Sequence, residues 1–281
     1  MNGDIINFLF SGTLNGAVFS LVALGYSLVY GVGHLMNLSH GAYFMLTGYL
    51  LLWFVNRVIF FNTFIALIVN IVLAIAIVTA IGGVTYVLLI KPLQDTSVGV
   101  VLVTFGLAFF FEQIVLIISG TESYALTQYS LTQLFPRLPS SIELFGYSII
   151  SQYIFLIVMS LIIVIAFAIF INYSKLGKSI RAVSQDREAA TLMGINSNRI
   201  LFYTVMISAF LASIAGALYM PAAAINGPSM GWEFLTNSFA VVILGGMGSL
   251  VGSIVGAYIV GFVTSFTSIY IPNGPSWAHI V

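Results

Sequence analysis

The chain has 281 residues, of which 60% are hydrophobic and only 6% are charged, and its formal net charge is zero. Soluble domains carry about 25% charged residues, so this composition excludes a water-soluble globular protein. A chain without net charge has no electrostatic support for binding nucleic acid, and a chain without cysteine has no disulfide or thiolate metal chemistry. We therefore expect an all-α polytopic membrane protein, folded as one domain over residues 1–281 and embedded in a lipid bilayer.

The long apolar runs predict the membrane spans, because a spanning helix needs about 20 mostly apolar residues. No Lys or Arg precedes the first run, so we expect it to be retained as a helix and not cleaved as a signal peptide. The last run but one is too short to span alone, which predicts a broken or re-entrant segment buried in protein or lining a cavity. The sequence thus predicts a transmembrane helix bundle of about eight spans: Ile5–Tyr30, Leu38–Val55, Thr63–Ile90, Val98–Ile118, Ile149–Ile171, Ile200–Ala223, Phe234–Leu244 and Val251–Tyr270.

The polar segment Gly31–Gly41 interrupts the apolar sequence after the first span with Asn37, Ser39 and His40. A polar cluster at a helix break can bind the carboxylate or amine of a solute through freed backbone groups and helix ends. It can equally be a tight cytoplasmic turn that is capped by Asn37 or Ser39. The sequence leaves both interpretations open.

Glu112 lies inside an apolar run, FFFEQIVLII, with no cation nearby. An ionisable residue at membrane depth is a functional candidate, although it can also be a neutral buried carboxyl or reach an interface. It is the one acid well inside a predicted span, and a proton relay needs several ionisable side chains, so the sequence does not favour a proton-relay mechanism.

The cations orient the predicted spans, because cytoplasmic loops carry an excess of Lys and Arg. Residues 173–199 hold five of the chain's eight cations, so this loop is predicted to be cytoplasmic, as is the loop around Lys91. The N-terminus and the segment 120–148 then face outside, where Arg57 is a minor exception. Segment 120–148 could cap the outer mouth or only connect two helices, and the topology after Arg199 stays open.

Glycines spaced at four residues predict close helix packing, since they fall on one helix face and let two backbones approach. This pattern occurs near the start of the chain and again near its end. The glycines concerned are Gly12 and Gly16, then Gly245 and Gly246 followed by Gly248, Gly252 and Gly256.

The sequence gives little support for an enzymatic activity. Gly177, Lys178 and Ser179 match the end of a phosphate-binding loop, but position 172 is Asn and a transmembrane run, not a strand, precedes them. The chain has no H-E-x-x-H zinc pair, and its G-x-S-x-G match at residues 227–231 stands in an apolar chain with only three histidines, which gives a hydrolase little to work with. We expect no catalytic residues, no metal site and no cofactor.

The charged loop contains a second pattern, in which acid, base and acid are followed by two alanines and, four residues later, by Gly194. Good helix formers over Arg187–Met193 and a glycine suited to end a helix predict a short surface helix. A small exposed helix with fixed charges and an apolar patch is typical of a docking element. It could instead lie on anionic lipid, but the mixed charge favours a protein partner.

These residues resemble a known family. Glu188, Ala189, Ala190 and Gly194 match the coupling motif of ABC-importer permeases, E-A-A with a glycine four residues later. Residues 21–43, 178–196 and 228–258 resemble, in order, the permease subunits of branched-chain amino-acid ABC importers. The most specific stretch is the last, PSMGWEFLTNSFAVVILGGMGSLVGSIVGAY.

The chain also departs from the family's pattern. Asn237 stands where the family commonly has Lys, and the usual last helix and basic tail are missing. The resemblance therefore leaves the completeness of the C-terminus and the structure around His279 open. Segment 120–148 carries none of the resemblance.

The resemblance implies a transport subunit of the bacterial inner membrane, paired with a second homologous permease. It also implies two cytoplasmic ABC ATPase subunits, which hydrolyse the ATP, and an extracytoplasmic substrate-binding protein. The cytoplasmic coupling helix would comprise Asp186, Arg187, Glu188, Ala189, Ala190 and Gly194. We expect polar contacts along the translocation pathway or its gate at Asn37 and His40, with Glu112 as a further candidate.

Three alternatives remain at this stage. Permeases for urea and short amides resemble the same stretches, so the solute is most simply a branched-chain amino acid but could be an amide. A secondary transporter would work alone on an ion gradient, which the scarcity of intramembrane acids disfavours. A channel or membrane scaffold would need no docking loop.

Overall fold

The structure is a computed structural model that describes residues 2–57, 64–126, 129, 135, 138–144 and 147–272. Most of these residues are helical, as lipid requires, because each backbone N–H and C=O inside a bilayer must be bonded within its own segment. The elements in chain order are α1 (Asn2–Gly33), α2 (His40–Arg57), α3 (Phe64–Thr85) with a π-helical extension (Tyr86–Ile90), α4 (Lys91–Leu93), α5 (Ser97–Ser119), β1 (Ser123–Tyr124), β2 (Ser141–Leu144), β3 (Tyr147–Ile150), α6 (Ser151–Tyr173), α7 (Lys175–Gln185), α8 (Arg187–Leu192), α9 (Ser197–Tyr219), β4 (Ile225–Asn226), α10 (Met230–Gly245) and α11 (Leu250–Tyr270).

The predicted all-α membrane fold is confirmed, with a correction to the spans. Among the described residues, six helical segments are long and apolar enough to cross a membrane. The other two predicted spans are shorter apolar helices, His40–Val55 and Met230–Gly245. The short segment predicted at Phe234–Leu244 is therefore present as α10, whereas the full span predicted at Leu38–Val55 is not.

Helix α2 begins at mid-depth in the bundle. The Nε2 of His40 donates to the carbonyl oxygen of Val22, two-thirds of the way along α1, at 2.8 Å. The backbone N–H of Leu38 donates to Thr104, inside α5, at 3.1 Å. The chain after α1 thus turns back into the bundle before α2 starts.

Helix α10 begins against the same region. The first turns of α2 and α10 pack backbone to backbone at Gly41 and Gly231, where a side-chain carbon on Gly41 would collide with the carbonyl oxygen of Gly231. Phe44 and Phe234 stack beside this contact with ring centroids 4.0 Å apart. Two short helices thus start next to each other inside the protein.

Contacts between elements place the helix ends on two sides. On one side, Phe8 of α1 lies against Tyr270 of α11, with ring centroids 6.1 Å apart, and β1 pairs with β4. On the other side, the end of α1 packs against the turn between α10 and α11. The cations lie at this side too: Lys91 after the extension of α3, four cations in α7 and α8, and Arg199 in the first turn of α9. The positive-inside rule makes this second side cytoplasmic, so α11 ends outside.

The predicted glycine packing holds for the helix faces and fails for the turn. Gly245, Gly252 and Gly256 bring α10 and α11 into backbone contact, and Gly12 and Gly16 do the same between α1 and α11. Gly246 and Gly248 instead lie in the turn between α10 and α11, with φ of 89° and 88°. Gly248 also reaches the end of α1, since a Cβ on Gly31 would lie 3.1 Å from its Cα.

The predicted outer segment 120–148 is only partly described. Its β1 pairs with β4, and β2 pairs with β3 in an antiparallel hairpin. Tyr129 donates to the carbonyl oxygen of Leu51 at 3.2 Å, so the segment packs on the outer end of α2. Arg137 and the C-terminal region around His279 lie outside the described residues.

Candidate functional site

The charged loop folds as two short helices in succession, α7 and α8. Ser174 caps α7 by accepting from the N–H of Gly177 at 2.8 Å, and Asp186 caps α8 by accepting from the N–H of Ala189 at 2.9 Å. Gly194 follows α8 with a φ of 86°, a left-handed conformation that ends the helix. The predicted short helix and its glycine stop are present, whereas the preceding helix α7 was not predicted.

One face of α8 is open to solvent. Glu188 and Ala189 are exposed, and the apolar side chains of Leu192 and Met193 are 88% and 84% exposed. Ala190, in contrast, is buried against the rest of the chain. The surface therefore combines a carboxylate with two apolar side chains that nothing in the described chain covers.

Arg187 points back into the chain. Its guanidinium donates to the side chain of Asn198 at the start of α9, at 2.9 Å, and to Gln94 just after α4, at 3.4 Å. The hydroxyl of Tyr86, in the π-helical extension of α3, donates to the carbonyl oxygen of the same Asn198 at 2.9 Å. Helix α8 is thus joined to the cytoplasmic ends of α3 and α9.

The three polar residues that the sequence singled out in the break before α2, Asn37, Ser39 and His40, are buried. Asn37 accepts from the N–H and the hydroxyl of Ser39, at 3.1 and 2.6 Å, so it holds the turn that leads into α2. The amide nitrogen of Asn37 is buried without a hydrogen-bond partner among the described residues. His40 joins three helices, because its Nε2 meets Val22 of α1 and its Nδ1 meets Ser208 of α9 at 2.9 Å.

Glu112 has a partner that the sequence did not indicate. The indole N–H of Trp232 in α10 donates to its carboxylate at 2.5 Å. Both side chains border a hollow of about 10 Å³ beside the first turn of α10. The pair joins α5 to the start of that short helix.

Two larger cavities lie at opposite ends of α1, each also lined by α6 and α11. The outer cavity has a volume of about 380 Å³ and the cytoplasmic one about 330 Å³. Between them, residues 20–23 of α1 are buried. Neither cavity is lined by Asn37, His40 or Glu112, so the structure does not bring these predicted pathway residues together there.

The outer cavity contains residues that the sequence reasoning missed. Glu233, in the first turn of α10, lines it together with Ser11 and Asn15 of α1. An acid immediately before an apolar run was the available signal for Glu233. Nothing in the sequence signals the contact of Tyr86 and Arg187 with Asn198, because the partners are far apart along the chain.

Comparisons with known proteins agree on one family. A family described as the permease component of branched-chain amino acid transport systems matches residues 8–281. The high-affinity branched-chain amino acid transport system permease proteins LivH of Salmonella typhimurium (strain LT2) and of Escherichia coli (strain K12) are each 27% identical to this chain, covering 94% of it and 86% of the relative. The corresponding permease protein BraD of Pseudomonas aeruginosa is 26% identical, over 87% of this chain and 80% of its own length. No solved structure matches the chain.

Proposed function

This chain belongs to the family of branched-chain amino acid transport system permease components, and from that premise we propose that it is the membrane subunit of an ATP-driven importer for leucine, isoleucine and valine. It is a multi-pass protein of the bacterial inner membrane, and its relatives are transport permeases. In the proposal, residues 1–281 form one permease domain without an enzymatic activity of their own.

The proposed partners are two cytoplasmic ABC ATPase subunits, a second homologous permease and an extracytoplasmic substrate-binding protein. The observation that carries this proposal is the open face of α8, where Glu188, Leu192 and Met193 are exposed on a helix that is capped at both ends. An apolar patch beside a fixed charge suits docking into a groove of a soluble protein.

The proposed mechanism is mechanical. Closure of the ATPase subunits on ATP would displace α8, and the contacts of Arg187 with Asn198 and Gln94 would carry the displacement to α9 and α4. The helix bundle would then switch between outward-open and inward-open arrangements as a rigid-body motion. Asn37, His40 and Glu112 remain proposed pathway or gate residues.

Charge reversal on α8 tests the proposal. Glu188→Arg places a cation where the ATPase groove would accept an anion, so we expect the permease to insert normally but to lose ATPase co-purification and leucine uptake. Lys178→Glu, a charge reversal at an exposed site on the neighbouring α7, is the matched control and should retain both. Wild-type co-purification and uptake in the Glu188→Arg variant would rule the docking role out.

A further inference from the structure

Helix α5 carries a polar side chain that faces away from the bundle. Gln113 is exposed in the outer half of this helix, and its amide makes no hydrogen bond to the described residues. Other polar side chains of α5 do have partners: Thr104 donates to the carbonyl oxygen of Val100 at 2.8 Å, and Glu112 accepts from Trp232. Past the first turn of α5, Gln113 is therefore the polar side chain without a partner in the described part of the chain.

Gln113 lies inside the apolar zone of the membrane and not at its surface. Trp53 donates to Ser119 at the outer end of α5, and an indole at a helix end is typical of the boundary between membrane and water. Gln113 precedes Ser119 by six residues, which places it about 9 Å deeper along the helix axis. A helical side chain leans toward the N-terminus of its helix, which for α5 is the cytoplasmic end. The amide thus leans deeper into the membrane and away from the outer water.

An amide at this depth needs a hydrogen-bond partner from another helix. Lipid tails offer none, so an unpaired amide among them costs free energy. Asn and Gln side chains in membrane helices bond to neighbouring helices instead. Since the described residues supply no partner for Gln113, a helix of another membrane protein is the structure that would supply one.

The surface around Gln113 has the composition of a helix-packing face. Residues that are three, four or seven positions apart lie on one side of a helix. A carbon added at Gly106 meets no atom within 4 Å, so the surface has room there, and small residues let a second helix approach closely. We call the exposed residues on this side the α5 face: Gly106, Phe109, Phe110, Gln113 and Ile117.

A second permease fits the α5 face better than the soluble partners do. Two homologous permeases that lie side by side with the same orientation are related by a two-fold axis along the membrane normal, which brings the same position of both chains together at one depth. A carboxamide has both donors and an acceptor, so Gln113 can pair with another carboxamide or with a different polar side chain there. An ATPase or a binding protein lies in water and does not reach this depth.

We propose that the α5 face packs against the second permease of the importer, with Gln113 hydrogen-bonded across the contact inside the membrane. The inference rests on the proposed function, which includes a second permease, and it assigns the helix that meets this partner. The chain then has two separate docking surfaces, the open face of α8 for the ATPase and the α5 face for the permease.

Photo-cross-linking tests the α5 face in the whole importer. The full chain, tagged for purification, carries a benzophenone amino acid in place of Phe110, and membranes that contain all the subunits are irradiated. We expect a covalent adduct that mass spectrometry identifies as this chain joined to a permease. The same amino acid in place of Ile162, an exposed position on α6, is the matched control and should give no permease adduct.

Removal of the amide tests the role of Gln113. Gln113→Leu removes one hydrogen bond between membrane helices, so the second permease should bind the tagged chain about 3- to 30-fold more weakly in detergent. Gln113→Asn keeps an amide on a shorter side chain and should retain part of the binding. The melting temperature of the chain alone should not fall in either variant, because Gln113 makes no hydrogen bond to the described residues.

Three results would overturn the inference: no permease adduct from Phe110, an adduct of Phe110 with the ATPase or the binding protein, or undiminished permease binding by Gln113→Leu. The composition of the purified importer separates this inference from the proposed function. If a second permease co-purifies with the tagged chain and the α5 face fails these tests, the inference alone is wrong. If neither a permease nor an ATPase co-purifies, the proposed function is wrong.

Discussion

At the residue scale, the polar side chain of His40 is held by two other helices. It is fully buried, and both ring nitrogens have partners on other helices. A carbonyl oxygen can only accept, so Nε2 carries the proton that it donates to Val22. In a neutral ring, Nδ1 is then the acceptor and the hydroxyl of Ser208 donates to it, so one tautomer satisfies both nitrogens.

We predict that His40→Leu lowers the free energy of unfolding by about 1–3 kcal/mol, because it removes both buried hydrogen bonds of the imidazole, to Val22 and to Ser208. Thermal unfolding of the purified chain in detergent measures this loss. Ser208→Ala, which removes only one of the two contacts, should cost less.

The double variant distinguishes a network from two independent contacts. Residues in one hydrogen-bond network show coupling energies of about 0.5–3 kcal/mol, so His40→Leu and Ser208→Ala should cost less together than the sum of their separate effects. Strictly additive losses would show that the imidazole and the hydroxyl do not depend on each other.

At this scale the sequence shows which polar residues are unusual for their surroundings but not which residues they bind. Glu112 and His40 stand out because each is polar in an apolar neighbourhood. Their partners Trp232 and Ser208 lie 120 and 168 residues further along the chain, and no local pattern connects them. Burial and pairing are properties of the packed bundle and follow only from its topology.

At the element scale, helix propensity and helix-ending signals predicted an element best where its own residues determine its structure. Helix α8 was predicted because Arg187–Met193 are good helix formers and Gly194 can end the helix. The structure adds a cap by Asp186, which is also a local contact. Helix α7 was missed because its apolar residues, Ile180 and Val183 among them, are too few to stand out in so apolar a chain. The glycine spacing likewise predicted a close contact without naming the partner helix.

The contact between α10 and α11 gives a prediction at this scale. A side-chain carbon on Gly252 would collide with the carbonyl oxygen of Gly245, which is backbone and cannot rotate away. We expect Gly252→Ala to destabilise the protein by about 1–3 kcal/mol, the usual cost of overpacking a well-packed contact.

Gly106→Ala is the matched control, since Gly106 lies within helix α5 and an added carbon there meets nothing within 4 Å. That change should stabilise the helix by up to about 1 kcal/mol, because alanine has the higher helix propensity. Thermal unfolding should thus show opposite signs for the two substitutions. A shift of the same sign in both would mean that the packing contact does not set the outcome.

At the scale of the whole molecule, the lengths of the apolar runs predicted how many apolar helices the chain forms. They did not predict how deep in the membrane each helix begins. The run that contains α2 is long enough to read as a span, but His40 lies level with Val22 and Thr104 lies level with Leu38. Only these contacts show that the helix begins inside the bundle. Such a start is tolerated because protein surrounds the non-helical backbone before it.

The C-terminal topology, which the cations left open after Arg199, follows from contacts between distant elements. Phe8 packs against Tyr270, and β1 pairs with β4, so the end of α11 lies on the side of the N-terminus. Single cysteines introduced into this cysteine-free chain can test the arrangement in intact cells. We expect Glu122→Cys and Ile271→Cys to react with an impermeant thiol reagent, and Met193→Cys to react only after the membrane is opened.

This labelling pattern tests the bundle and its orientation separately. If the contacts are right and the orientation is reversed, all three positions change sides together: Met193→Cys reacts from outside, and the other two are protected. If Ile271→Cys alone is protected, the packing of α11 along α1 is wrong. The expected pattern would also put α8 inside, where an ATPase can reach it, so the proposed docking role depends on the same measured orientation.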